Sequence, residues 1–227
     1  TNYYHPFSIQ EFRRPEFEVA ARNETAGPYF AGDHATLAVD AKYYAGGGLP
    51  NADVTWQVTT SPGSYSPPNW PDFTFGNWNP WWFFDFEFPG TTAGETETFS
   101  SKTDASGTHY LELDFDQTGD PAKDPQPHSI LAQSTVMDVN LQAWSSTTTL
   151  LVHPSDLYIG IRSDRYFVGR DTPLKIEFIV TDLDGNPIKD RPVEITAGRL
   201  DWKTKNGSWV EEVVDVQTCT LLSQPEP

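Results

Sequence analysis

The stretch Tyr110-Leu111-Glu112-Leu113-Asp114-Phe115 decides the fold, because its leucines and its phenylalanine alternate with polar or acidic residues. Such alternation is typical of an antiparallel strand with one buried and one solvated face. No window keeps apolar residues at helical spacing for three turns. We therefore predict an all-β protein. The same period of two recurs in the runs at 17–19, 37–41, 54–58, 136–141, 149–152, 174–180 and 193–195.

Turn signals separate these runs and set the architecture. They include Gly46-Gly47-Gly48, Asp104-Ala105-Ser106-Gly107 and Asp184-Gly185-Asn186-Pro187. Many short strands separated by Gly, Pro and Asp turns are typical of β-sandwiches. The 227 residues suit one large domain or two small ones, at about 150 residues per domain. We predict tandem antiparallel β-sandwiches.

A domain boundary is predicted at His153-Pro154, because a strong strand ends there and a fresh strand signal, Leu157 to Ile161, follows. Residues 1–14 are interpreted as the last strand of a preceding domain. Residues 15–153 then form the first sandwich and 154–227 the second. The second has 74 residues, and since a seven-stranded sandwich needs about 100 we expect it to be incomplete at its C-terminus.

Charge and composition exclude several functions. The formal net charge is −17, which argues against nucleic acid and anionic membranes as partners. No apolar run is long enough to cross a bilayer. The single cysteine, Cys219, cannot form an internal disulfide or a cysteine-based metal site. Because the chain starts at Thr1 without a leader, we expect a processed or excised piece of a longer protein.

An aromatic insert at about 61–95 is the most unusual feature of the sequence. Eleven of the 24 residues from Tyr65 to Phe88 are aromatic. Such a segment either packs on its own sandwich or a neighbouring domain, which we favour, or forms a surface that binds a protein or a glycan. The residues of the possible interaction surface are Trp70, Trp78, Trp81, Trp82, Phe83 and Phe84.

Catalytic and metal motifs are weak. No Gly-x-Ser-x-Gly occurs, and the five histidines are scattered. Asp182, Asp184 and Asn186 imitate part of a calcium loop, but the required Glu is missing and Gly185 stands at the wrong position, so a turn is the better interpretation. We predict no catalytic residue, no metal and no cofactor. A second acidic group, interpreted as solvated charge although calcium is possible, comprises Asp114, Asp116, Asp120 and Asp124.

Several segments resemble one family. Ile9 to Val19, with its Phe-Arg-Arg-Pro-Glu-Phe-Glu-Val core, is similar to the junction between macroglobulin-like domains of alpha-2-macroglobulins and complement thioester proteins. Tyr43 to Val54 resembles the family's glycine-turn hairpin, and Thr103 to Thr108 its late hairpin. Phe167 to Pro173 resembles the opening of the following domain. The long insert most resembles bacterial members.

The resemblance implies two consecutive macroglobulin-like domains of immunoglobulin/fibronectin-III-like architecture. Family members are broad-spectrum endopeptidase inhibitors that entrap a protease after it cuts a bait segment, often through a thioester. The thioester needs Cys-x-Glu-Gln, but Thr220-Leu221-Leu222 follows Cys219, and no bait segment is recognisable. The implied role is a non-catalytic scaffold, monomeric as a fragment, in an extracytoplasmic inhibitor whose partners are neighbouring domains and target proteases. The alternative is a carbohydrate- or protein-binding sandwich that uses the aromatic insert.

Overall fold

A computed structural model describes residues 16–76, 94–115, 126–165, 169, 172–205 and 208–227. All regular structure in these ranges is β-strand, which confirms the predicted all-β fold. The strands are β1 (Phe17–Asn23), β2 (Tyr29–Phe30), β3 (His34–Tyr43), β4 (Asp53–Pro62), β5 (Thr74–Phe75), β6 (Glu95–Lys102), β7 (Thr108–Asp114), β8 (His128–Met137), β9 (Ala143–His153), β10 (Leu157–Ser163), β11 (Ile176–Asp182), β12 (Pro192–Lys205) and β13 (Ser208–Leu222).

These strands form two compact units. The described residues of the first unit are 16–63, 94–115 and 127–153, and the second unit takes 64–76, Gln126 and the described part of 154–227. The chain therefore passes into the second unit after Gly63 and is back in the first unit at Gly94. This differs from the division predicted from the sequence, in which the whole insert belongs to the first sandwich. The strand expected within residues 1–14 lies outside the described residues.

The first unit is a sandwich of two sheets. One sheet has the order β1-β3-β7, and the other has the order β2-β9-β8-β4-β6. All neighbours are antiparallel except β2 and β9. The alternating strands turn one side inward, so the apolar residues of both sheets meet in a single core. Its fully buried large members include Phe17, Leu37, Val39, Val54, Trp56, Phe115, Val136 and Val152.

Polar contacts and close backbone packing fix the first unit at two places. The indole N–H of Trp56 on β4 donates to Nδ1 of His109 on β7, at 3.2 Å, and so joins the two sheets. Backbones meet closely where Gly48 faces the turn before β7, since a Cβ at Gly48 would lie 1.8 Å from the Ser106 carbonyl oxygen. Gly107 in the same turn has φ +83°. A side chain at either glycine would displace this turn from the backbone against which it packs.

The β8–β9 hairpin carries an unusual tip. The Asp138 carboxylate accepts the backbone N–H groups of Asn140 and Gln142, both at 2.8 Å, and so closes the turn. Leu141 has φ +60°, a left-handed conformation that costs a leucine about 1–2 kcal/mol. Val139 and Leu141 both project into solvent. The strain at Leu141 is therefore not compensated by burial of its side chain.

The second unit contains a three-stranded sheet and a two-stranded ribbon. The sheet has the order β11-β10-β5, and its third strand comes from residues 74–75 in the middle of the chain. The ribbon is the antiparallel pair β12–β13, with a register shift between Ala197 and Arg199. Its base is held by Ser223, whose N–H donates to the Arg191 carbonyl and whose hydroxyl donates to that of Ile188.

Candidate functional site

The described half of the aromatic insert lies on one face of the β11-β10-β5 sheet. Strand β5 pairs with β10 so that Phe75 stands opposite Gly160. A Cβ at Gly160 would lie 2.6 Å from Cζ of Phe75, so the ring fills the space that a side chain would take. The missing side chain of Gly160 is thus what lets an aromatic strand cover this face.

Phe73 is the centre of this cover. It is 7% exposed, and the edge-to-face contact with Trp70 has a centroid distance of 5.6 Å. The Arg162 guanidinium lies 4.6 Å from the Phe73 ring centroid and donates from Nε and Nη2 to Glu177 on β11, at 2.9 and 2.6 Å. Hydrogen bonds from Lys175 and then Arg162 lower the pKa of Glu177. The cation over the ring is therefore fixed by the neighbouring strand.

Two further aromatic residues anchor the same segment to the loop after β11. The Tyr65 hydroxyl donates to the Leu183 carbonyl at 2.6 Å, and the Trp70 indole N–H donates to the Gly185 carbonyl at 2.8 Å. The Tyr65 ring lies 5.2 Å from that of Tyr158. Burial, together with Tyr65, raises the pKa of Tyr158 well above its usual range. The Tyr65 hydroxyl and the Trp70 indole N–H are therefore both used in holding the segment to this loop.

Of the six residues predicted for an interaction surface, Trp70 has its place in this cover. Trp78, Trp81, Trp82, Phe83 and Phe84 lie outside the described residues. In the described part of the insert, Phe73 is buried while Tyr65, Trp70 and Phe75 are half-buried, and all four belong to the second unit.

The candidate calcium residues after β11 form a closed turn. Asp182 accepts the backbone N–H of Asn186 at 2.8 Å and its side-chain N–H at 2.9 Å. The bonds from Asn186 lower the pKa of Asp182. Gly185 has φ +78°, and a Cβ there would lie 2.0 Å from the Pro68 carbonyl oxygen. Both carboxylate oxygens of Asp182 accept hydrogen bonds within this turn.

No group of three or more His, Cys, Asp or Glu side chains suited to a metal occurs among the residues that the structure describes. Asp114 ends β7, while Asp116, Asp120 and Asp124 lie outside them. Cys219 is exposed on β13, opposite Ile195. Within the described ranges, no helix is long and apolar enough to span a bilayer.

Two histidines of the first unit are withdrawn from solvent, His109 being half-buried and His153 buried. Burial lowers the pKa of His109, which accepts the Trp56 indole N–H through the nitrogen that a proton would occupy. Burial also lowers the pKa of His153 at the end of β9. The neutral form is favoured at both positions, which suits hydrogen bonding inside a sandwich.

Sequence reasoning missed an apolar face on the β12–β13 ribbon. Leu200 stands opposite Val213, and Trp202 and Trp209 lie at diagonal positions on the same face. All four side chains are exposed by half or more. The signal in the sequence was the alternation of Leu200, Trp202 and Thr204 with charged residues.

Comparisons with known proteins show which solved structures share this fold. No protein-family model matches the chain. Native Escherichia coli alpha-2-macroglobulin, solved by cryo-EM, matches with a TM-score of 0.58 and 13% identity, over 93% of this chain and 14% of that one. Salmonella alpha-2-macroglobulin reacted with methylamine gives 0.56 and 13%, over 95% and 14%. The chain therefore has a macroglobulin-like fold.

A curated relative is similar in sequence. Circularly permutated Ras protein 2 of Dictyostelium discoideum is 30% identical over 214 residues, which cover 86% of this chain and 5% of that protein. The chain thus spans a small fraction of the length of each of these three proteins, 5% of the curated relative and 14% of the two structures.

Proposed function

We propose that the chain is a non-catalytic scaffold of two macroglobulin-like domains in a larger, extracytoplasmic inhibitor of endopeptidases. The fold similarity carries the proposal. It extends over 93% of this chain, and therefore over both units in sequence, within bacterial alpha-2-macroglobulin. A similarity to one sandwich alone would have covered little more than half of the chain.

The use of the candidate residues supports a structural role. Trp70, Tyr65 and Arg162 are engaged in holding the aromatic segment on the sheet, and Asp182 is engaged in its own turn. A catalytic or ligand-binding role needs side chains that converge on a space where a reacting atom could sit. These side chains are instead engaged in separate contacts within the sheet and the loop after β11.

The name of the curated relative, a Ras protein, suggests a different activity, and we do not assign that activity to this chain. A Ras-type phosphate-binding loop needs Gly-x-x-x-x-Gly-Lys followed by Ser or Thr, because the lysine reaches the phosphates. This sequence contains no Gly-Lys pair. The match spans 5% of the relative, so it fits a module shared by large proteins.

The proposed mechanism is mechanical. A close-packed sandwich deforms little, so it transmits movement as a body. Cleavage of a bait segment elsewhere in the parent would release a constraint, and domains would then move about junctions such as Arg14-Pro15 and His153-Pro154. The −17 charge of this chain would favour the solubility of such a parent. Target proteases would meet the parent outside the cytoplasm.

The test uses the parent polypeptide and the 227-residue chain side by side. An endopeptidase is mixed with each, and cleavage of a large protein substrate and of a small peptide is followed. We expect the parent to protect the large substrate while the small peptide is still cut, because a caged protease remains open to small molecules. The chain alone should protect neither. Unprotected large substrate with the parent, or stoichiometric protection by the chain alone, contradicts the proposal.

A further inference from the structure

The β12–β13 ribbon has two chemically different faces. On one face Lys203 donates to Glu212 at 2.6 Å, and Arg199 lies 3.0 Å from Asp215 and 3.8 Å from Asp201. These ion pairs are suited to water. Successive side chains of a strand point to opposite faces, so Leu200, Trp202, Trp209 and Val213 lie on the other face of the ribbon. A strand pair patterned in this way normally buries its apolar side.

The apolar face is exposed in the described chain. Leu200, Trp202, Trp209 and Val213 are 57%, 50%, 71% and 55% exposed. With about 150–250 Å² for a whole aromatic side chain and somewhat less for Leu and Val, the four present roughly 500 Å² of contiguous apolar surface. The largest patch on an ordinary monomer is about 300–600 Å², and such a patch is often functional. This one lies at the upper end of that range.

We propose that this face is a self-association surface, covered by the same face of a second copy of the chain. Complete burial of these four residues in both copies removes about 1,000 Å² of surface from water, which is the minimum expected of a biological interface. A two-fold axis brings Leu200, Trp202, Trp209 and Val213 of one copy against the same residues of the other. Tryptophan at the centre of an interface is the type most enriched among energetic hot spots.

The ion-paired face and the net charge of the chain determine how this association depends on salt. The ion pairs of Arg199 and Lys203 stay in water in such a dimer, so no paired charge has to be desolvated. Glu211 stands opposite Trp202 on the apolar face, and each chain carries −17. Like charges repel, and salt screens them. Association through this face therefore strengthens as salt is added, which is the opposite of association through ion pairs.

The proposed dimer differs from the monomer expected from the sequence, and it does not depend on the proposed inhibitor role. The test is sedimentation velocity on the 227-residue chain across the micromolar range, about 1–100 μM, at low and high NaCl. We expect a monomer–dimer equilibrium whose dimer fraction rises with salt. The Trp202→Ser/Trp209→Ser variant should weaken dimerisation at least about tenfold, since hot-spot tryptophans contribute most of the binding energy.

The matched control is Val210→Ser, which removes an apolar side chain from the ion-paired face of the same ribbon and should leave the dimer unchanged. A second variant, Val213→Asp, introduces charge at the centre of the apolar face and should also give monomers. Circular dichroism verifies that each variant keeps its strands. A wild-type chain that stays monomeric at high salt overturns the proposal and leaves the face to a different polypeptide. A dimer that persists in the double variant overturns it as well.

Discussion

Replacing Phe73 by alanine removes the centre of the aromatic cover on the β11-β10-β5 sheet. The ring is 7% exposed and touches Trp70 and the Arg162 guanidinium. Truncation of a buried phenylalanine costs about 3–5 kcal/mol. Few large apolar side chains are buried in the described part of this unit, the others being Tyr158, Ile179, Val180 and Val193. We expect the second unit to lose about 3 kcal/mol, a large share of the stability of a small domain.

Hydrogen exchange measured by mass spectrometry reports this loss locally. Amides of Leu157–Ser163 and Ile176–Asp182 should exchange more than about 100-fold faster in Phe73→Ala, since about 1.4 kcal/mol corresponds to a factor of ten. His128–Met137 in the first unit should be unchanged. Tyr110→Ala, which truncates an exposed aromatic residue of the first unit, is the control. Unchanged exchange in Leu157–Ser163 would refute the assignment of Phe73 to this sheet.

Three further predictions concern the first unit. Leu141→Gly should raise the free energy of unfolding by roughly 0.5–1 kcal/mol in urea denaturation, because relief of the left-handed strain exceeds the entropic cost of glycine; a loss of stability would contradict this. Gly107→Ala should lower the free energy of unfolding by about 3 kcal/mol, because the new Cβ would lie 2.3 Å from the Ala41 carbonyl oxygen. The control is Gly46→Ala, where φ is +101° and the space is open. It should lower the free energy of unfolding by about 1 kcal/mol, from backbone strain alone. Burial lowers the pKa of His109 below its ordinary value of about 6.5, so the unfolded chain binds the proton more readily and stability should fall as the pH drops below about 6.5. His109→Gln should reduce that dependence between about pH 7.5 and about pH 5, and equal slopes for both proteins would show that His109 does not cause it.

The sequence predicted the strands well where one face is buried and the other is wet. Leu111, Leu113 and Phe115 are buried and alternate with exposed neighbours, as their period of two requires. The absence of a thioester motif after Cys219 is also visible in the sequence. These features depend on local patterns, and local patterns are what a single sequence records.

The destination of the aromatic insert was not predictable in the same way. Its composition requires burial, but composition does not say against which sheet. The deciding residue is Gly160, whose missing side chain admits Phe75, whereas a glycine within a strand pattern equally indicates a bulge or a bend. Strand β4 also pairs with β6 across Thr60 and Glu95, so the chain leaves this strand pair after β4 and returns to it at β6. Only a long-range contact reveals where it goes between them.

The ribbon could have been found. Asn206-Gly207 stands between two alternating runs, which is the strongest short hairpin signal in a sequence. The exposure of its apolar face, however, depends on what the rest of the chain leaves uncovered.

The central claim is that residues 64–76, which follow β4, are a structural part of the second unit. It is tested most directly by replacing 64–93 with a short glycine-rich turn, which the pairing of Thr60 with Glu95 allows, and measuring hydrogen exchange strand by strand. Strands β10 and β11 should lose their protection, while β3 and β8 of the first unit keep theirs. Full protection of β10 and β11 in the shortened chain would contradict the claim.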